Sequence, residues 1–133
     1  MRIMYDTNVL LSALVLRSKV NTRALIIGGY EGNVRLLSSF VIDEVFSVIK
    51  RKWPNKANEV YRLFSVLSFE RVELPTDYPR DLFPIRDPWD YPVIYSAYIA
   101  HADYLVTGDK DFQEVTLPHT QIVTPRQIVD LYV

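Results

Sequence analysis

A chain of 133 residues with 49% hydrophobic content is sized for one domain with a real core, and a net charge of −1 excludes the overall basic character of a protein that coats nucleic acid. The absence of cysteine removes disulfides, thiolate metal sites and cysteine nucleophiles, and suits a reducing compartment. No apolar run approaches bilayer length and the N-terminus opens directly on strand residues, so a cytoplasmic protein with no membrane partner is expected.

Taken in order, Arg2 to Tyr5 form a short strand that delivers Asp6, Thr7 and Asn8 to its carboxyl end. Asp6 has two readings there: a ligand-facing acid at a strand terminus, or a cap on the helix that follows. Val9, Leu10, Ala13 and Leu14 fall at helical spacing up to a break at Arg17-Ser18-Lys19. A second helical run, Thr22 to Ile27, ends at Gly28-Gly29, where glycine favours a left-handed terminus.

Val34 to Leu37 read as the second strand, and Ser38-Ser39 cap a helix from about Phe40 to Lys50. Val41, Glu44, Val45 and Val48 share one face of that helix, which sets an acid in largely apolar company, whereas Asp43 points elsewhere. Lys50-Arg51-Lys52 closes it, as cations suit a helix C-terminus, and a phosphate-contacting role stands beside that reading. A further helix carries Glu59, Val60, Leu63, Phe64 and Leu67.

Phe69 to Leu74 alternate like a strand, and Pro75 to Pro88 read as a long irregular loop, a feature that is usually functional or mobile. Asp90-Tyr91-Pro92 opens a helix running through Ile94, Ala97, Tyr98 and His101. Tyr104 to Thr107 form the next strand, followed by Gly108-Asp109-Lys110-Asp111-Phe112. Gln121 to Val123 make a last strand, and Thr124-Pro125-Arg126-Gln127 is a capping box that starts the terminal helix.

This alternation predicts a single α/β domain over 1–133, a three-layer α/β/α sandwich around a parallel sheet of four to five strands. Right-handed crossovers put the strand-to-helix junctions on one edge, so Asp6, Glu44, Asp90 and Asp109 can meet if the first and fourth strands are neighbours. Crowded carboxylates must hold protons at raised pKa or recruit a cation. With oxygen donors only, and neither His101 nor His119 near the set, the cation expected is Mg²⁺ or Mn²⁺ and the chemistry metal-assisted phosphodiester hydrolysis.

Asp6-Thr7-Asn8 after the first strand, the acid in Ile42-Asp43-Glu44-Val45, Arg86-Asp87-Pro88-Trp89-Asp90 leading into a helix, and Thr107-Gly108-Asp109-Lys110-Asp111-Phe112 together resemble a PIN domain. The resemblance spans nearly the whole chain and is greatest to the compact VapC-like toxin ribonucleases of prokaryotic toxin–antitoxin modules. It implies Asp6, Glu44, Asp90 and Asp109 as metal-binding catalytic acids, Asn8 and Thr107 as residues orienting them, and Asp111 as an auxiliary ligand or a holder of water. It also implies an RNA substrate, a cognate antitoxin and a homodimer. The chain departs from the pattern in flanking Asp90 with Trp89 and Tyr91, which leaves Asp87 as a rival for the third acid and offers rings for an unpaired base to stack on.

Candidates for gripping substrate are Arg17, Lys19, Arg23, Lys50, Lys52, Arg86 and Lys110. A catalytically silent PIN-fold module that binds RNA or protein is the alternative function, and a DNA-directed nuclease on the same scaffold also stands. A phosphoacceptor is disfavoured: Asp6 is single, and Thr124-Pro125 stands where a lysine would be needed.

Overall fold

The computed structural model describes residues 1–133. Its strands are β1 (Arg2–Tyr5), β2 (Val34–Ser38), β3 (Glu70–Val72), β4 (Tyr104–Val106) and β5 (Gln121–Val123). Its helices are α1 (Thr7–Leu14), α2 (Lys19–Ile27), α3 (Ser39–Lys52), α4 (Ala57–Val66), α5 (Tyr91–Ile99) and α6 (Pro125–Leu131), with short 3-10 turns at Pro54–Lys56, Pro88–Asp90 and Lys110–Glu114.

Successive strand residues point to opposite faces, so the complete burial of Ile3, Met4 and Tyr5 in β1 means that both faces of the sheet are covered. The five strands pair in the order β3-β2-β1-β4-β5, and every pairing is parallel. The chain therefore steps outward from β1 to β2 and β3, then crosses back to β4 on the other side of β1. That reversal leaves the junctions after β1 and β4 side by side, the place where open α/β sheets bind ligands.

The register is fixed at this point. Tyr5 stands opposite Val106, the Asp6 amide donates to the Val106 carbonyl at 3.0 Å, and the Thr107 amide donates to the Val123 carbonyl at 2.9 Å. Polar residues leaving β1 and β4 are thus held by the sheet's own ladder rather than by loop packing.

Several boundaries differ from the sequence expectation for identifiable reasons. Ser18 caps α2 through the Asn21 amide, which starts that helix at Lys19 rather than Thr22. β3 pairs only over Glu70–Val72, because it is an edge strand matched to the end of β2. His101 takes a left-handed φ of 50°, and α5 stops at Ile99 instead of continuing through it.

Gly28 corrects the expectation of a left-handed glycine: its φ of −62° and ψ of −17° are right-handed helical. Its role is space. A Cβ there would lie 2.6 Å from the Tyr5 hydroxyl and 3.3 Å from Arg35 Cβ. The hydroxyl has no freedom to retreat, since Tyr5 is fully buried and donates to the Ala24 carbonyl at 2.6 Å. Arg35 is equally pinned, with Nε donating to the Leu25 carbonyl and Nη1 to that of Ser68.

Gly28→Ala should therefore destabilise the protein by about 1–3 kcal/mol in urea denaturation despite alanine's better helix propensity. Combined with Tyr5→Phe, which removes the obstructing oxygen, the two costs should fall short of additive. Strict additivity would show that the hydroxyl is not the obstacle.

Candidate metal centre

Asp6 leaves β1 as the N-cap of α1, and both readings of it apply at once. Its Oδ1 accepts from the Thr7 amide at 2.7 Å, while Oδ2 accepts from the Thr107 hydroxyl at 2.9 Å across the β1–β4 junction. The Thr107 oxygen in turn accepts from the Asp109 amide at 3.1 Å. One buried hydroxyl therefore sets the geometry of two acids on different strands.

Asp109 caps the 3-10 turn after β4, its Oδ1 accepting from the Asp111 amide at 2.9 Å. Opposite stands the turn Pro88–Asp90, in which Asp87 Oδ1 accepts from the Trp89 amide at 3.0 Å and so directs the next acid inward. Asp90, Asp109 and Asp111 each bring a carboxylate oxygen within 4.8 Å of the others. Asp87 serves as the cap and Asp90 joins this group. Asp111, expected as an auxiliary, stands as close as its companions, and its Oδ1 also faces Arg86 Nη1 at 3.5 Å.

Glu44 is half-buried on α3, where it accepts a hydrogen bond from the Thr7 hydroxyl. Asp6, Asn8, Glu44 and Asp90 line a common cleft of about 300 Å³. Arg51, Lys52 and Trp89 complete its rim. The expected acids thus divide into a tight group, Asp90, Asp109 and Asp111, and an adjoining pair, Asp6 and Glu44, joined through Thr7 and Thr107.

Burial, reinforced by Asp109, Asp87, Asp6 and Asp111, pushes the Asp90 carboxyl up to about 7. Burial also raises Asp6, to about 6, against the hydrogen bonds from Thr107 and Thr7 and with help from Glu44 and Asp109. Asp90 Oδ2 is the only buried side-chain polar atom in the chain without a hydrogen-bond partner. Native proteins rarely leave such an atom unpaired, so this one calls for a ligand.

A hard divalent cation fits those facts. All donors are oxygens, and ligands on opposite sides of one Mg²⁺ lie about 4 Å apart, close to the spread of the three carboxylates. A cation would pair the orphan oxygen and relieve the repulsion that drives the pKa values upward. Asp90, Asp109 and Asp111 are the residues positioned to hold it.

Of the expected cations, Lys52 reaches the cleft rim and Arg86 reaches Asp111. Arg17 instead pairs with Glu59. Lys19, Arg23, Lys50 and Lys110 are exposed and do not line the acid cleft. Arg51, which sequence reasoning took only as part of the Lys50-Arg51-Lys52 run and not among the individual candidates for gripping substrate, also lines the cleft. That reasoning also assigned Thr7 no role at the site, although the Thr7–Glu44 bond explains why an acid is tolerated on that face.

Asp90 and Asp6 have raised folded-state pKa values, so between the ordinary carboxylate range and about pH 7 the folded protein holds protons that the unfolded chain has released. Metal-free stability should then fall as pH rises through that window. In chelator, Asp90→Asn should raise the Tm by roughly 3–6 °C near pH 8 and change it little near pH 4. With excess Mg²⁺ or Mn²⁺ the order should reverse, since the variant loses a ligand. A variant no more stable than the parent near pH 8 in chelator would contradict this electrostatic account.

Comparison with known proteins accords with this architecture. A family model described as PIN domain matches residues 2–111. A search of curated proteins gives no significant match. Among solved structures, VapBC2 from Rickettsia felis bound to a promoter DNA fragment is similar with a TM-score of 0.69 at 16% identity, covering 93% of this chain and 98% of that one. DNA-bound VapBC from Salmonella typhimurium gives a TM-score of 0.68 at 15% identity, covering 94% and 98%. VapC20 from Mycobacterium tuberculosis, a toxin that cleaves the sarcin-ricin loop, gives 0.61 at 12% identity, covering 84% and 93%. At these identities the structures establish a shared fold, while the family model covers most of the sequence: the chain belongs to the PIN domain family.

Proposed function

We propose that this protein is a divalent-metal-dependent endoribonuclease and the toxin of a toxin–antitoxin pair. The observation that carries the reading is the unpartnered, buried Asp90 Oδ2, grouped with Asp109 and Asp111 where the β1 and β4 junctions adjoin. Family membership supports nuclease chemistry, and the shared fold with a toxin described as cleaving the sarcin-ricin loop supports RNA as the substrate.

Asp90, Asp109 and Asp111 would hold Mg²⁺ or Mn²⁺, with Asp6 lining the same cleft as Asp90. When bound, such an ion supplies Lewis-acid polarisation of a phosphoryl oxygen and lowers the pKa of water. Arg51 and Lys52, at the rim of the same cleft, bind the flanking phosphates. Glu44, oriented by Thr7, accepts the proton of the attacking water, and Thr107 keeps Asp6 and Asp109 in register.

No histidine can take the proton from a ribose 2′-hydroxyl. His101 and His119 lie edge to face with ring centroids 6.3 Å apart, and His119 bonds Asp103, which accepts from the Arg2 amide at the opposite end of β1. Attack by external water accordingly leaves a 5′-phosphate and a 3′-hydroxyl.

The antitoxin is proposed by analogy of fold with the VapBC complexes. Exposed apolar side chains at Leu16, after α1, and Val66, closing α4, offer a surface for an amphipathic segment. Homodimerisation through α6, which exposes Leu131, belongs to the same proposal.

Mixed RNAs incubated with Mn²⁺ should be cleaved, and chelator should stop the reaction. Asp6→Asn, Asp90→Asn and Asp109→Asn should each slow it by on the order of 10²-fold or more while remaining folded. Products ending in a 2′,3′-cyclic phosphate would overturn the mechanism. Wild-type protein that binds RNA but never cleaves it would favour the silent module instead.

A further inference from the structure

The acid cleft continues beyond the carboxylates. Trp89 lines it and also lines a second, open cavity of about 480 Å³, bordered by Phe40 of α3, residues of the segment from Leu74 to Pro88 and the start of α5. This volume falls within the range of pockets that hold a small organic group. The indole is 77% exposed, so core packing does not explain its presence. The next residue in the same 3-10 turn is Asp90.

Half of the cavity lining is aromatic. Tyr78 stacks on Tyr95 with centroids 4.9 Å apart and planes at 22°, and it lies nearly parallel to Tyr91 at 6.2 Å. The Arg80 guanidinium sits 4.3 Å above the Tyr78 ring. Tyr91 fixes the segment to α5 by accepting from the Leu82 amide at 2.9 Å. On the far side of the acids, Asn8 lines both the acid cleft and a further cleft that contains Arg126. The three clefts follow one another along the carboxyl edge, with Trp89 and Asn8 at their boundaries.

We propose that the aromatic cavity is a subsite for an unpaired nucleobase of the RNA strand, stacked on the exposed Trp89 indole, with Arg80, held over the Tyr78 ring, meeting the adjoining phosphate. The inference rests on the ribonuclease reading of the acid cleft. A base joined to its phosphate by one sugar suits a cavity that shares a residue with the phosphate site, and ring faces receive any base. An amphipathic peptide would need an apolar groove several helical turns long, whereas this cavity is local and shares Trp89 with the cleft that Asp90 lines. A duplex keeps its bases stacked inside, so the enzyme should select single-stranded substrate.

The test uses the full chain carrying Asp109→Asn, to prevent cleavage, and Trp53→Phe, which leaves Trp89 as the single tryptophan. The probe is a short labelled single-stranded oligoribonucleotide in Mg²⁺. Binding should quench the Trp89 emission, and annealing the complement should weaken binding about tenfold. Trp89→Ala should weaken single-strand binding by a similar factor with the dependence on salt unchanged, whereas Arg80→Gln should make that dependence shallower. Trp89 is exposed, and an unchanged Tm verifies that its replacement leaves the fold intact.

Equal affinities for Trp89→Ala and its parent, or for single strand and duplex, would overturn the subsite and leave the cavity to a protein segment. If wild-type protein still cleaves RNA in that case, the subsite alone has failed. Wild-type protein that neither binds the oligonucleotide nor cleaves RNA would refute both readings.

Discussion

The Thr107 hydroxyl donates to Asp6 Oδ2 and accepts from the Asp109 amide, and through those bonds it ties the ends of β1 and β4 together. Residues about a hundred positions apart are thereby held at hydrogen-bond distance in a buried setting. Parallel pairing of β1 with β4 brings the strand ends level, and the threonine converts that alignment into a fixed relation between side chains. The arrangement of the remaining acids follows from it. Asp111 is held by Asp109, Glu44 is held by Thr7 next to Asp6, and Asp90 approaches from the helix that leads into β4.

Holding acids so close costs stability unless a cation joins them. Asp90 and Asp6 are pushed toward neutral pKa values, and one Asp90 oxygen has no partner at all. A protein built for stability alone would replace Asp90 with an apolar residue or provide it with a donor. The one buried polar side-chain atom without a partner lies at the carboxyl edge. Toward the amino ends of the strands, Arg35 bonds two carbonyls, and Asp103 accepts from the Arg2 amide and bonds His119. This contrast between a satisfied edge and an unsatisfied one marks the functional side of the sheet.

Much of this was legible in the sequence because strand and helix periodicities differ, and because polar residues directly after short apolar runs have few structural roles. Asp6 and Asp109 were recognisable as candidates on that basis, Glu44 by its place on an apolar helix face and Asp90 by its place at a helix start. Their grouping was not: the separation of Asp6 and Glu44 from the tighter Asp90–Asp109–Asp111 set depends on a 3-10 turn after β4, and such turns carry no hydrophobic period. Arg51 was read only as part of a cation run with two roles open, closing a helix or contacting phosphate, and nothing in the run's spacing singled it out. The requirement for Gly28 was equally illegible, since the atoms that exclude a Cβ come from β1 and β2, outside its own segment.

The central claim is that Asp90, Asp109 and Asp111 form a single cation site beside Asp6. Anomalous diffraction from crystals soaked in Mn²⁺ addresses it directly, because it locates the ion without reference to activity. The account predicts a peak among the three carboxylates, within coordination distance of Asp90 Oδ2, that disappears in Asp90→Asn. Mn²⁺ absent from this edge, or bound elsewhere while the Asp90 oxygen stays unpaired, would contradict it.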